Sequence, residues 1–217
     1  MNKDLIYKII DNKIDKIVLH YLNKQELKTL YNALKLNHSL KTLDLSNNNI
    51  KDLTFLKCLK NNSCLKKLDL SFNKIEDLIP LKFLENNYCL KKIVLSCNKI
   101  KDLTSLKFLS NSSLETLYLS YNKIEDITPL KFLQNSCLEE LYLSYNLIEK
   151  ISPLKYLENS CLKILDLSYN KIKDISSLKF LSNSFLKELY LSFNIINEKD
   201  IQELIKLAKL KQLFLNI

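Results

Sequence analysis

Few side chains in this sequence could do chemistry, and most of them recur at a regular spacing. Carboxylates at Asp44, Asp69 and Asp166 could act as general acids or bases. Six cysteines could act as nucleophiles, ligate a metal or form disulfides. The only histidines are His20 and His38, which leaves little material for acid–base or metal chemistry near neutral pH.

The composition argues against an enzyme. The carboxylates recur with no histidine or nucleophile close to them in the sequence, which favours a solvated recognition surface. The 217 residues include no glycine, which excludes a glycine-rich phosphate loop, a dinucleotide fingerprint and a nucleophile elbow. All 33 basic residues are lysines, so bidentate guanidinium contacts to phosphate or guanine are also excluded. We expect a non-enzymatic protein with no metal and no cofactor.

The cysteines are interpreted as free structural thiols. Cys64, Cys89, Cys137 and Cys161 occupy one position of a repeated segment, where serine or phenylalanine stands in other copies. A position that accepts all three residue types predicts a filled, mostly buried slot, and it disfavours a disulfide or a metal ligand. Cys97 is expected on or beside the outer face of a sheet, as an inert thiol. The scattered cysteines predict a reduced protein of the cytoplasm.

One motif organises almost the whole chain. The string LKTLDLSNNNI begins at Leu40, and six further full copies follow at intervals of 24 or 25 residues. The full copies begin at Leu40, Leu65, Leu90, Leu114, Leu138, Leu162 and Leu186. A weaker copy begins at Ile14, and a truncated copy begins at Leu210.

These copies divide the chain into a short cap and one repeat domain. Residues 1–13 have the apolar spacing of an amphipathic N-terminal cap. The domain then consists of a degenerate repeat at 14–39, seven full repeats at 40–209 and a truncated repeat at 210–217. The last copy stops after one strand, which predicts an open sheet edge through which two copies of the chain could pair. A fragment of a longer repeat protein is the other interpretation of this ending.

The first half of each copy predicts a short strand and a turn. In Leu117-Tyr118-Leu119, alternation places the leucines on one face and Tyr118 on the other. The asparagine that ends the motif can satisfy backbone groups, because an amide has two donors and an acceptor. We expect a structural asparagine ladder made of Asn48, Asn73, Asn98, Asn122, Asn146, Asn170 and Asn194.

The second half of each copy predicts a short helix on the opposite side. Threonine or serine is expected to cap it, at Thr54, Thr104, Thr128, Ser152 and Ser176, and proline follows in two of these copies and in one other. An aromatic column is predicted to fill the core behind the helix, at Phe83, Phe108, Phe132, Tyr156 and Phe180. A second asparagine column is interpreted as a left-handed helix stop in place of glycine, at Asn61, Asn86, Asn111, Asn135, Asn159 and Asn183.

The motif L-x-x-L-x-L-x-x-N-x-I resembles the leucine-rich repeat family from Ile14 to Ile217. The helical halves resemble the internalin-like and phosphatase-regulator-like class, and the longer helical stretches near each end resemble the ribonuclease-inhibitor-like class. The resemblance implies an α/β solenoid, a right-handed superhelix with a parallel β-sheet on its concave face. Short helices or 3-10 turns would cover its convex face. The disulfide caps of extracellular members are absent from the sequence, which favours an intracellular location.

The outward strand positions form the predicted binding surface, the concave face. Exposed tyrosines are enriched at interface hot spots, so we expect this face to bind a protein or peptide. The expected contact residues are Tyr118, Tyr142, Tyr190, Phe214, Lys67, Lys92, Asp69, Glu140, Asp166 and Glu188. The charges predict a basic first half and an acidic second half. A neighbouring aromatic row is typical of the family and is expected to be half-buried, at Phe72, Tyr121, Tyr145, Tyr169 and Phe193.

Two other functions are compatible with the sequence. A lysine ridge on the convex helices could attract nucleic acid or an anionic surface, although aspartates nearby weaken its field. The ridge consists of Lys57, Lys82, Lys107, Lys131, Lys155 and Lys179. The resemblance to phosphatase regulators also implies a regulatory subunit of an enzyme. No apolar stretch has the length of a signal peptide or a membrane span.

Overall fold

The computed structural model describes residues 2–158, 160–178 and 185–217. The described part of the chain contains three α-helices: α1 at Lys3–Ile10, α2 at Lys24–Leu34 and α3 at Glu198–Lys211. Its strands, β1 to β9, are Lys16–Val18, Thr42–Asp44, Lys67–Asp69, Lys92–Val94, Thr116–Tyr118, Glu140–Tyr142, Ile164–Asp166, Glu188–Tyr190 and Phe214–Asn216. Its 3-10 helices are Thr54–Leu59, Ile79–Leu84, Thr104–Leu109, Thr128–Leu133 and Ser152–Leu157.

The strands form one parallel sheet in the order β1 to β9. Each strand has three residues, and the middle one is buried in β1 to β8, as at Leu68 and Leu141, but only half-buried at Leu215 of β9. The first and third residues face outward, as alternation requires. Consecutive strands are parallel because the chain crosses back through a helical segment between them. The predicted α/β solenoid with a parallel sheet is confirmed.

Leucines, and not the aromatic column, fill the space behind the sheet. Leu81 and Leu84 of one 3-10 helix are buried, whereas Phe83 between them is only half-buried. The same holds for Phe108, Phe132 and Tyr156, so the prediction of an aromatic core was wrong. Phe180 lies outside the described residues. The rings instead lie at the helix surface, where Lys82 Nζ is 5.3 Å from the centroid of the Phe83 ring.

Aspartates accept the first N–H of the 3-10 helices that begin at Thr54, Ile79, Thr104 and Thr128, and the threonines assigned to the capping role do not cap them. Asp52 Oδ1 accepts the Thr54 N–H at 2.7 Å, and Asp52 Oδ2 accepts the Thr54 hydroxyl at 2.8 Å. The threonine is thus the first residue of the helix and lies too late to be its cap. Hydrogen bonds from Thr128 hold the pKa of the Asp126 carboxyl below its usual value. The aspartates expected to dilute a lysine field are therefore structural caps.

The left-handed residues are not the second asparagine column. Asn61, Asn86, Asn111 and Asn135 have no positive φ, and Asn159 and Asn183 lie outside the described residues. The 3-10 helices end in right-handed conformation, with φ −54° at Lys60, so no left-handed stop is needed there. Positive φ falls instead on the residue before the ladder asparagine in each repeat, at Asn47, Phe72, Cys97, Tyr121, Tyr145, Tyr169 and Phe193.

The residue after the expected stop closes the turn, and its type differs along the chain. In one copy, buried Asn62 accepts the N–H groups of Cys64 and Leu65 at 3.0 and 2.9 Å. In a later copy the Ser136 hydroxyl donates to the carbonyl of Leu133 at 2.7 Å. Repeats that begin 25 residues apart use the larger asparagine, and repeats that begin 24 residues apart use serine.

The two ends of the sheet are covered differently. Helix α1 packs on α2, and the Asn37 side chain donates to the carbonyl of Ile9 at 2.8 Å. At the other end, α3 extends through Lys211, which shifts the last strand by two residues relative to the motif. Phe214 therefore pairs with Glu188, where the motif predicted Tyr190 as its neighbour. No helix among the described residues has both the length and the apolar character needed to cross a bilayer.

Candidate functional site

The asparagine ladder holds the ends of the strands in register. Asn122 Nδ2 donates to the carbonyls of Leu95 and Leu119, both at 3.0 Å, and its Oδ1 accepts the Ile100 N–H at 2.9 Å. One side chain thus ties two consecutive repeats together. The same pattern recurs at Asn98, Asn146 and Asn170. These bonds fix the backbone directly beside the concave face.

Tyr118 and Tyr142 lie side by side on the concave face. Their ring centroids are 4.3 Å apart with planes 7° from parallel. Lys92 Nζ lies 4.5 Å from the centroid of the Tyr118 ring, at cation–π distance. Glu140 Oε2 accepts the Tyr142 hydroxyl at 3.5 Å. Burial, followed by the neighbouring Tyr118 and Glu140, raises the pKa of Tyr142 above its usual value.

The remaining predicted contact residues form two smaller groups. Lys67 Nζ lies 3.4 Å from Asp69 Oδ2 on β3. On β8 the Tyr190 hydroxyl donates to Glu188 Oε2 at 2.7 Å, and the Tyr190 ring centroid is 5.5 Å from that of Phe214. Asp166 pairs in register with Tyr142 on one side and Tyr190 on the other, so it joins this group to the central tyrosines. All of these residues except Phe214 are half-buried, and Phe214 is exposed.

Sequence reasoning undervalued a second aromatic row, which we call the aromatic ladder: Tyr121, Tyr145, Tyr169 and Phe193. Consecutive ring centroids are 4.0, 4.0 and 4.1 Å apart, and the ring planes are within 14° of parallel. The row was expected to be half-buried, but its rings are exposed, by 37% at Tyr145 and by 70% at Phe193. The detectable signal was an aromatic residue at the same offset in four consecutive copies. Phe72 is also exposed but is separated from the ladder by Cys97.

The backbone of the aromatic ladder is left-handed. Tyr121 has φ 58° and Tyr145 has φ 53°. A residue with a Cβ loses about 1–2 kcal/mol in this conformation. The Tyr121 N–H donates to the Ser144 carbonyl at 2.9 Å, which anchors the strained residue to the next repeat. Such strain is typical of functional sites, where the surrounding structure maintains it.

The two charged halves of the face are partly neutralised across repeats. Lys91 Nζ lies 2.6 Å from Glu115 Oε1, and Lys163 Nζ lies 2.7 Å from Glu139 Oε1. The hydrogen bond from Lys91 to Glu115 raises the pKa of Lys91. Glu115 and Glu139, which lie in the half predicted to be acidic, are therefore paired with lysines.

The cysteine column lies largely at the surface, so the prediction of a buried slot was wrong. Cys89, Cys137 and Cys161 are exposed, and Cys64 is half-buried. Each precedes a fully or nearly fully buried leucine, and alternation turns the preceding side chain outward. Burial instead raises the pKa of Cys58 to about 12 and also raises the pKa of Cys97. Within the described ranges no three His, Cys, Asp or Glu side chains are grouped so as to hold a metal ion.

Three family models match successive parts of the chain, and all three describe leucine-rich repeats. One leucine-rich repeat model covers residues 38–86 with two copies, a second covers 89–153 and a third covers 158–175. No curated protein sequence matches the chain.

Solved structures with the same architecture come from bacteria and plants. A leucine-rich repeat protein of Leptospira interrogans is 23% identical, with TM-score 0.75 over 100% of this chain and 57% of that chain. The chain thus spans little more than half of that protein. Internalin C2 of Listeria monocytogenes is 26% identical, with TM-score 0.61 over 86% of this chain and 84% of that chain. The plant peptide hormone receptor RGFR1, in complex with RGF2, is 23% identical, with TM-score 0.56 over 76% of this chain and 26% of that chain.

The repeated motif, the parallel sheet with its asparagine ladder and the three matching family models agree with one another. The chain belongs to the leucine-rich repeat proteins.

Proposed function

We propose that the chain is a non-enzymatic module that binds a protein or peptide on its concave face. The observation that carries this proposal is the stacked pair Tyr118 and Tyr142, with Lys92 over one ring and Glu140 on the hydroxyl of the other. Two rings held by their neighbours lose little side-chain entropy when a partner covers them. They are therefore suited to act as central anchors.

The aromatic ladder extends this surface along the stack of repeats. Tyr145 lies close enough to Asp166 of the concave face for the carboxylate to influence its pKa. The strand tyrosines and the aromatic ladder thus form two adjacent aromatic rows across the same repeats. With strands about 4.8 Å apart, nine of them extend for about 40 Å, which is long enough for an extended peptide.

The charges on this face would orient the partner. Lys67 and Lys92 lie on β3 and β4, whereas Glu140 and Glu188 lie on β6 and β8. A partner with an acidic group opposite the lysines and a basic group opposite the glutamates would dock in one direction. Charge complementarity of this kind mainly increases the association rate and the specificity.

Structures with this fold are compatible with the proposal. The plant receptor is a peptide hormone receptor whose structure contains RGF2, so the fold can accommodate a peptide ligand. We further propose a cytoplasmic, reducing location, because the six cysteines include no disulfide among the described residues.

A peptide selection tests the proposal without knowledge of the natural partner. The full chain is immobilised, peptides are selected from a random library, and the dissociation constants of the selected peptides are measured by calorimetry. We expect the double variant Tyr118→Ala/Tyr142→Ala to weaken binding by more than about fivefold, since removal of hot-spot rings costs more than about 1 kcal/mol. Tyr88→Ala is the matched control, because Tyr88 is 57% exposed and lies outside both aromatic rows.

Two results would contradict the proposal. The first is an unchanged dissociation constant for the double variant while its circular dichroism spectrum matches that of the wild type. The second is binding of single-stranded DNA that falls steeply with salt and depends on the convex lysines, which would favour the nucleic-acid alternative.

A further inference from the structure

Cys137 and Cys161 occupy the same place in consecutive repeats. Both thiols are exposed, and each residue comes directly before a buried leucine. Each also follows a serine whose hydroxyl donates to the last leucine carbonyl of the preceding 3-10 helix, at 2.7 Å from Ser136 and at 2.6 Å from Ser160. The two cysteines therefore follow equivalent turns, and the backbone runs in the same direction at both.

The backbone beyond the two cysteines is locked in register. The N–H groups of Lys163 and Ile164 both donate to the Glu139 carbonyl, at 2.7 and 3.0 Å. Glu140 and Ile164 then begin the paired strands β6 and β7. Each cysteine lies three residues before its paired residue, so the two Cα atoms are separated by about one strand spacing, near 4.8 Å. Disulfides form between Cα atoms about 4.4–6.8 Å apart.

Side chains on the same outward face already meet across these two repeats. Glu139 and Lys163, each two residues beyond a cysteine, form an ion pair with a nitrogen–oxygen distance of 2.7 Å. Because side chains alternate along extended backbone, the cysteines point to the same side as this pair. The Lys163 ammonium, which forms this ion pair, also lies near the Cys161 sulfur.

We propose that Cys137 and Cys161 are an oxidisable pair that closes a disulfide across two consecutive repeats when the protein meets a peroxide. The thiolate of one cysteine attacks a peroxide oxygen, the O–O bond breaks, and a sulfenic acid and one water form. The second thiolate then attacks the sulfenic sulfur, the S–S bond forms, and the S–O bond breaks with loss of a second water. Two electrons pass from the two sulfurs to hydrogen peroxide, and the two thiol protons end in the two waters.

The other cysteines provide contrasts within the same chain. Cys58 and Cys97 are shielded by burial, and both have raised pKa values that disfavour the thiolate. Cys64 and Cys89 also lie in consecutive repeats, but Cys64 is half-buried and its N–H is bound by the Asn62 side chain. The residues two positions beyond this pair are Lys66 and Lys91, whose like charges do not draw the two repeats together.

The test treats the full, reduced chain with dilute hydrogen peroxide at low protein concentration and counts free thiols over time. We expect a fast loss of two thiols per chain, recovery with a reducing agent, and a peptide map that links Cys137 to Cys161. The variant Cys137→Ser/Cys161→Ser should lose this fast phase, whereas the control Cys64→Ser/Cys89→Ser should keep it at the wild-type rate. The oxidised wild type should also unfold at a higher temperature than the reduced form, and the Cys137→Ser/Cys161→Ser variant should show no such shift.

Three outcomes would overturn the proposal. One is a fast phase that survives in Cys137→Ser/Cys161→Ser, since another pair would then be responsible. Another is a disulfide between chains, seen as a dimer on a non-reducing gel. The third is separate oxidation of Cys137 and Cys161 to sulfinic acids with no linked peptide. A stable single variant, Cys161→Ser, whose remaining Cys137 accumulates as a sulfenic acid would further support the two-step order.

Discussion

The repeats at 40–113 and those at 114–194 share a buried layer and differ in the exposed one. Leu68 and Leu141 are fully buried in the strands of the two halves, and Asn73 and Asn146 make equivalent hydrogen bonds, to which Asn73 adds one from the Asn48 N–H. The left-handed position carries Asn47, Phe72 and Cys97 in the first half, of which only Phe72 is exposed, but the exposed Tyr121, Tyr145, Tyr169 and Phe193 in the second.

This difference separates what folding requires from what it does not. Asparagine tolerates a left-handed backbone better than bulky residues do, and Asn47 adopts φ 58° at the equivalent position. Folding could therefore have used asparagine in every copy. Four consecutive repeats instead carry an aromatic residue at this strained position. The four rings stack on one another while they stay exposed. The second half is thus where we place recognition.

Substitution of a ladder asparagine should have the largest effect and should not distinguish the halves. We expect Asn73→Ala and Asn146→Ala each to lower the free energy of unfolding by about 3 kcal/mol, because each substitution leaves buried backbone carbonyls and N–H groups without hydrogen-bond partners. Urea denaturation followed by circular dichroism measures both. The exposed Asn135→Ala is the control and should change stability by less than about 0.5 kcal/mol. A difference of more than about 1 kcal/mol between the two ladder variants would mean that the buried layers are not equivalent.

Replacement of the left-handed aromatics by glycine should separate the two halves. Phe72→Gly relieves a strained backbone, and this gain roughly offsets the greater entropy of glycine in the unfolded chain, so we expect a change below about 0.5 kcal/mol. Tyr145→Gly relieves the same strain but also removes two ring stacks, each of which stabilises the fold by about 0.5–1.5 kcal/mol. We therefore expect it to lower the free energy of unfolding by about 1.5 kcal/mol.

The comparison of these two glycine variants is itself the control, since both sites have the same backbone conformation. Tyr145→Phe should retain most of the stacking and remain within about 0.5 kcal/mol of the wild type. Equal effects of Phe72→Gly and Tyr145→Gly in urea denaturation would show that the aromatic ladder contributes nothing beyond its individual residues.

The sequence was sufficient for the repeat fold because period and alternation report directly on burial. The seven copies predicted the strands, and the leucines at fixed spacing predicted the core that the structure contains. The predictions that were wrong concern features that depend on backbone geometry. The asparagine in each turn was visible, but the position of the left-handed residue, such as Tyr121, depends on how the strand leaves the sheet.

The exposure of the cysteines and the register of the last strand could not be predicted from the sequence pattern either. Cys137 shares its position with serine and phenylalanine, and this substitution pattern fits a surface site as well as a filled slot. Phe214 aligned with Tyr190 in the motif, but the length of α3 moved it opposite Glu188. The stacking of Tyr118 on Tyr142 follows from the spacing of neighbouring strands, whereas the contact of Lys92 with Tyr118 depends on a side-chain rotamer.

The smallest expected effect concerns alkaline pH and the tyrosines of the second half. The pKa of Tyr142 is raised, first by burial and then by Tyr118 and Glu140, whereas an unfolded tyrosine titrates near about 10. Below that pH the phenol is protonated in both states, and its contribution to stability is fully present. As the pH rises above about 10, the unfolded state loses its proton first, so the free energy of unfolding falls.

Tyr142→Phe removes the titrating hydroxyl but keeps the ring, so stability should fall less steeply than in the wild type between about pH 9 and pH 11. Urea denaturation across this range measures the slope. The matched change Tyr7→Phe, on the exposed surface of α1, should leave the wild-type slope unchanged. If Tyr142→Phe and the wild type lose stability in parallel, folding does not raise the pKa of the Tyr142 hydroxyl. The concave face of the second half would then be no more desolvated than the rest of the surface, and the contrast between the halves would depend on the aromatic ladder alone.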